Sequence, residues 1–141
     1  NQATIGHGGV FFDPDGRATF RNCIFRGNTT TKGVGLSDQG YSGSGGTTLI
    51  LYSNVQGGWI GTCNIDADPL FTASYALQTT SPCKNAGDTG AVPLDTFDLD
   101  WDTNTIEDIP KDLGLLPRIR LGAVDMGAYE LFSDTPPGGG E

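Results

Sequence analysis

The stretch GGVFFDPDGRATFRNCIFRGN (Gly8–Asn28) carries the pattern that decides the fold. Val10 to Phe12 is a short apolar run of strand character. Asp13-Pro14-Asp15-Gly16 is a turn, in which Pro presets φ and Gly supplies a positive one. From Ala18 onward polarity alternates, with Phe20 directed inward and Arg21 outward. After Asn22 the order restarts: Cys23 inward, Ile24 outward, Phe25 inward, Arg26 outward. A parity slip at an Asn predicts a sharp bend between two short strands, because Asn tolerates the left-handed conformation and bonds its own backbone.

Working outward, a Gly/Ser-rich loop from Gly33 to Gly46 leads to a second strand stretch, TTLILYSNV (Thr47–Val55), closed by Gln56-Gly57-Gly58. Setting Asn22-Cys23-Ile24-Phe25 against Tyr52-Ser53-Asn54-Val55 gives an offset of thirty residues. Inward Phe20, Cys23 and Phe25 then match Ile50, Ser53 and Val55. A third unit is expected over Asn64 to Gln78, with Pro69-Leu70-Phe71 and Tyr75-Ala76-Leu77 as its apolar pieces. Short strands, corner Asn and Gly residues and a period of a few tens of residues suggest a solenoid of about three stacked coils. A β-sandwich stays open on these residues alone.

Composition narrows the class. The 141 residues suit one domain with a modest core. With 22 Gly, only three Glu and three Lys, a helical bundle is excluded and an all-β chain is expected. Apolar runs such as Leu49 to Leu51 are too short to cross a bilayer, so no transmembrane segment is expected. The net charge of -9 argues against nucleic acid, whose phosphates need a basic face. All of it falls in residues 88–141; residues 1–87 sum to zero. Fourteen of the seventeen acids are Asp, which favours turns and serves as a ligand for hard cations. Cys23, Cys63 and Cys83 are too few for a disulfide scaffold, and an odd count leaves one thiol unpaired within the chain. His7 is the lone histidine, so a structural zinc site and a His-dependent triad both lack parts.

Several stretches carry a family resemblance. NCIFRGNTT (Asn22–Thr30) after GGVFF looks like a coil of right-handed parallel β-helices of bacterial surface proteins, including polymorphic outer-membrane-protein and pectate-lyase-like repeats. YSNVQGGWIGTCNIDADPLF (Tyr52–Phe71) resembles the last coils of secreted "choice-of-anchor" β-helix proteins. SPCKNAGD (Ser81–Asp88), DLDWDTNTIEDIPKDL (Asp98–Leu113), PRI (Pro117–Ile119) and VDMGAYE (Val124–Glu130) resemble their closing segment. The resemblance implies coils over 1–80, an Asp-rich, loop-dominated cap over 81–132 and a Pro/Gly tether over 133–141, with a secreted or cell-surface location. It departs at Cys63, where the family pattern has Gly, and at Asp100-Trp101-Asp102-Thr103, where the pattern reads Asp-Gly-Asp-Gly. The first departure raises a Cys63–Cys83 bridge.

The cap holds the candidate metal ligands. Asp98, Asp100, Asp102 and Asn104 stand at every second residue, followed by Glu107 and Asp108. Ca²⁺ takes six to eight oxygens, and carboxylates alternating in a tight loop can converge on one ion. An EF-hand is not supported, since Thr103 stands where it needs Gly and Ile109 where it needs a bidentate Glu. The alternative is a solvated acidic loop of Asx-turns. Arg118 and Arg120 are expected to pair with Asp125 and Glu130. Trp59 reads as a core lid, and Trp101 as either core or a sugar platform. Asn28-Thr29-Thr30 is a sequon, read here as a corner.

No catalytic set assembles on the sequence. Arg21 and Arg26 share an outward row without accompanying acids, and Asp13 and Asp15 sit in a turn. Starting at Asn1 without Met or signal peptide, the chain reads as a trimmed piece whose open side needs upstream coils or a neighbouring copy as cover. The expected function is a non-catalytic extracellular structural or adhesive module, stacking head-to-tail. The alternatives are the end of a polysaccharide lyase and a carbohydrate-binding module for cell-surface glycans.

Overall fold

A computed structural model describes residues 2–3, 10–11, 17–30, 40–41 and 47–131. The Gly33–Gly46 loop lies outside these residues apart from Gly40–Tyr41. His7, Asp13, Asp15 and the 133–141 tether also lie outside them. The chain is all-β: eight short strands and one 3₁₀ turn, with no α-helix among the described residues. The strands are β1 (Gln2–Ala3), β2 (Val10–Phe11), β3 (Arg17–Arg21), β4 (Ile24–Phe25), β5 (Thr29–Thr30), β6 (Gly40–Tyr41), β7 (Thr47–Leu51) and β8 (Asn54–Val55).

Every strand pairs in parallel with the one four places on: β1 with β5, β2 with β6, β3 with β7 and β4 with β8. Three of these registers share one offset. Val10 faces Gly40, Phe20 faces Ile50 and Phe25 faces Val55, thirty residues later each time. Gln2 faces Thr29, an offset of 27, so the second passage spends three more residues between β5 and β6 than the first spends between β1 and β2. The thirty-residue alignment read from the sequence is therefore the hydrogen-bond register of three of the four sheets.

The bend expected at Asn22 is present and repeats. Asn22 (φ 56), Tyr52 (φ 48) and Cys63 (φ 55) all adopt the left-handed conformation, and each leads into a residue of the same small sheet. Asn is at home there, whereas Tyr and Cys are forced. A polar ladder holds the corner column together. The Cys23 N–H donates to Ser53 Oγ (3.1 Å), and the Ser53 N–H donates to Asn64 Oδ1 (3.0 Å). Asn64 Nδ2 returns to the Ile50 carbonyl (2.8 Å). Cys23 Sγ and Ser53 Oγ also reach back to equivalent carbonyls, of Arg21 and Leu51. Gly61 is required beside this column, because a Cβ there would collide with the Ile50 carbonyl.

The third unit falls short of a coil. Ile65 bridges Asn54 in parallel, eleven residues on instead of thirty. The Val55 N–H donates to the Ile65 carbonyl (2.8 Å) and the Ile65 N–H to the Ser53 carbonyl (2.9 Å). The chain then leaves the ladder at Asp68-Pro69, where Pro offers no N–H and Leu70 turns left-handed (φ 51). Phe71 and Leu77 close an antiparallel turn instead.

Apolar burial lies on both faces of the β4–β8 sheet. Phe20 and Phe25 meet edge to face at 5.3 Å, and their partners Ile50 and Val55 are fully buried. Ile24, which alternation turns the other way, packs with Ile65, Phe71 and Ala86 against Leu77, Cys83 and Met126. The outward row thus becomes a second core under the closing segment.

Candidate functional site

The closing segment, 81–131, is built largely on carboxylates that accept backbone N–H groups. Asp125 takes the N–H of Asn85 (2.6 Å) on one oxygen and that of Leu131 (2.7 Å) on the other. Asp112 does the same for Leu116 (2.7 Å) and Glu130 (2.6 Å). The Asp125 N–H donates in turn to Glu130 Oε2 (2.9 Å). The expected Arg118–Glu130 pair is present at 2.9 Å and largely buried. The Arg118 fork spends its aligned N–H groups on the Gly127 carbonyl, so Glu130 Oε1 gains charge proximity without an aligned hydrogen bond. Burial, ahead of the neighbouring charges, pushes the Glu130 carboxyl up to about 7.

This segment docks on the first bend. The Asn22 amide accepts from the Asp88 N–H (2.6 Å) and donates to the Asp88 carbonyl (3.0 Å), while the Gly127 N–H donates to the Asn22 carbonyl (2.7 Å). Arg21 pairs with Asp88 at 2.7 Å, and Arg26 with Asp66 at 3.0 Å. The outward arginine row therefore does meet acids, which come from the closing segment and from beyond the third bend. Sequence alternation could not place either one. Between these parts a cavity of about 600 Å³ opens, lined mainly by Phe20, Ile24, Phe25, Phe71, Met126 and Tyr129.

The three thiols are free. A Cys63–Cys83 bridge is absent because Cys63 stands exposed at its corner, whereas Cys83 is buried and accepts from Asn54 Nδ2 (3.1 Å). Burial raises the Cys23 and Cys83 thiols. Asn28 is buried, in keeping with a corner. Trp59 is half-buried, and Trp101 is 87 % exposed.

In the acidic loop the structure gathers the expected ligands into two groups that share Asp100. One carboxylate oxygen from each of Asp98, Asp100 and Asp102 lies within 4.8 Å of the others. The same holds for Asp95, Asp100 and Glu107. Asn104 donates from Nδ2 to Glu107 Oε2 (3.1 Å), and its Oδ1 accepts the Ile106 N–H (3.2 Å). Asp95 is the residue that sequence reasoning missed. It is 1 % exposed and lies outside the alternating run. It is brought in because its N–H donates to the Glu107 carbonyl (2.7 Å) and the Ile109 N–H to that of Pro93 (2.8 Å). A short antiparallel contact thus lays Asp95 beside Glu107, and the one available signal is the bridge-forming Pro93-Leu94 run before it.

The second group holds unused oxygens. Asp95 Oδ2 accepts from the Leu99 N–H (2.8 Å), but Asp95 Oδ1, Asp100 Oδ1 and Glu107 Oε1 are buried with no hydrogen-bond partner. Glu107 titrates above the ordinary Glu range, through burial first and then the charges of Asp102, Asp100 and Asp95. Three neighbouring carboxylates, each with one buried oxygen lacking a donor, repel one another and suit a hard cation as their common partner.

No family model, no curated protein and no solved structure matches the chain.

Proposed function

We propose that the chain is a non-catalytic structural module, the last coils of a right-handed parallel β-helix with a loop-rich cap, serving a secreted or cell-surface assembly. The observation that carries the reading is the common thirty-residue register of β2–β6, β3–β7 and β4–β8 with equivalent side-chain bonds at equivalent positions. Such repetition is how stacked coils bury a continuous core. Among the described residues β1 to β4 each have a single strand neighbour, so their other edges present main-chain groups that a further coil could pair. That coil would come from a longer polypeptide or from a second copy of this chain. No helix among the described residues is long and apolar enough to cross a membrane. The engagement of Arg21 and Arg118 by Asp88 and Glu130 favours scaffolding over lyase chemistry, which needs a cation free to meet a uronate.

Negative-stain microscopy and sedimentation of the purified chain over a wide concentration range test the pairing. Rods or a concentration-dependent shift to larger species are expected. Discrete monomers at the highest concentration would remove self-stacking. Incubation with uronate polymers, read by the absorbance of new double bonds, should show nothing; a rise would overturn the non-catalytic reading.

A further inference from the structure

We infer that Asp95, Asp100 and Glu107 form a binding site for a hard divalent cation, Ca²⁺, that locks the acidic loop to the rest of the closing segment. The argument is independent of the stacking proposal. It begins with Asp95, whose side chain is fully buried and yet leaves Oδ1 without a donor. Buried carboxylate oxygens are nearly always satisfied, as both oxygens of Asp112 and of Asp125 are in this same segment. Apart from Glu130 Oε1, which faces Arg118, the buried carboxylate oxygens of the closing segment without a hydrogen-bond partner belong to Asp95, Asp100 and Glu107, one of the two groups whose carboxylates converge within 4.8 Å. The donors that could have filled them are used on the opposite oxygens, Leu99 N–H on Asp95 Oδ2 and Asn104 Nδ2 on Glu107 Oε2. These two hydrogen bonds occupy the second oxygens of Asp95 and Glu107 and leave Asp95 Oδ1 and Glu107 Oε1 unused.

The chemistry selects the ion. The ligands are carboxylate oxygens with no His and no thiol among them, which favours a hard cation over zinc or copper. Three carboxylates in an irregular loop suit the larger and less exacting coordination of Ca²⁺ better than the tight octahedron of Mg²⁺. Asp98, half-buried, and Asp102, exposed, also group with Asp100 and provide the negative approach. The sequence pattern pointed to Asp98, Asp100, Asp102, Asn104 and Glu107; the structure shifts the centre toward Asp95 and leaves Asn104 as the orienting donor on Glu107.

Trp101 supplies an optical probe, since it adjoins Asp100 and can sensitise bound Tb³⁺. Chelator-treated protein is titrated with Tb³⁺ and then with competing Ca²⁺, and thermal unfolding is followed with CaCl₂ against NaCl of equal ionic strength. Saturable Tb³⁺ emission is expected, displaced by Ca²⁺ with an apparent Kd on the order of 10⁻⁴–10⁻³ M, the range of oxygen-ligated extracellular sites. Ca²⁺ should raise Tm well beyond NaCl. Asp95→Asn is avoided because the residue is fully buried; Glu107→Gln and Asp100→Asn should weaken Tb³⁺ and Ca²⁺ binding at least about tenfold, the minimum loss from removing a charged ligand. Metal-free Glu107→Gln should unfold no lower than metal-free wild type, since it removes a repelling charge. Absence of saturable emission, a Tm rise that NaCl reproduces, or unchanged affinity in Glu107→Gln would each overturn the site.

Discussion

The two halves of this molecule solve the same problem by different means. In the paired strands β3–β7 and β4–β8, backbone groups satisfy each other across parallel strands, and side chains fall into columns. In the closing segment, 81–131, regular pairing shrinks to isolated bridges, and buried carboxylates stand in for the missing strand partners. The first arrangement depends on repetition, so loss of one side chain is shared along the column. The second depends on single charged acceptors, each serving two donors, so one loss strands both. Charge-assisted bonds of this kind are roughly twice as strong as neutral ones and correspondingly costly to break.

The largest effect should follow Asp125→Ala. It strips the Asn85 and Leu131 N–H groups of the acceptor in two part-buried charged bonds and should destabilise the protein by about 4 kcal/mol, at about two per bond lost. Urea unfolding measures the loss. Hydrogen exchange localises it: amides of the closing segment should open while Asn54 and Val55 keep their protection. If the strand amides exchange equally fast, the two regions are one cooperative unit and the contrast fails.

Ile50→Ala tests the other side. Ile50 is 2 % exposed and stacks on Phe20, so truncation should cost about 3 kcal/mol through lost transfer energy and a cavity. Its exchange signature should be the converse, with the Asn54 and Val55 amides exposed first.

Acidity separates the halves more gently. Glu130 is raised from 4.5 to about 7, so the folded state binds a proton more tightly than the unfolded one. Stability from this group is fully present below about 4.5 and is lost as pH rises through about 7. The span corresponds to at most about 3 kcal/mol, and Glu130→Gln should flatten it. A wild-type urea midpoint that falls between these pH values by no more than that of Glu130→Gln would contradict the assignment.

The same contrast explains what could be read in advance. The pairing of Phe20 with Ile50 and Phe25 with Val55 was legible because each strand is printed twice, thirty residues apart, and the copies check each other. The Arg118–Glu130 pair was legible because cations are scarce in that stretch. The burial of Asp95, Asp112 and Asp125 was not, because their partners are backbone N–H groups that any residue carries. The expected third coil failed for a local reason, Pro69 and the left-handed Leu70 ending the ladder after a single bridge.

The corner column gives the smallest and most specific test. Asn22 announced its bend because Asn populates the left-handed region; Tyr52 makes the same turn (φ 48) with a residue that pays about 1 kcal/mol for it. Tyr52 holds the conformation because its neighbours leave no choice: its own N–H donates to the Thr62 carbonyl (2.8 Å), and the next N–H, of Ser53, is taken by Asn64. Register therefore dictates the bend, and residue preference follows it where it can. Tyr52→Asn should make the second corner match the first and raise stability by about 0.5–1 kcal/mol, less whatever packing the half-buried ring contributes. Tyr52→Val, β-branched and ill-suited to positive φ, should lower it. Should both substitutions destabilise alike, the ring's contacts and not the backbone set the energy of this corner, and the equivalence of the three bends would be geometric only.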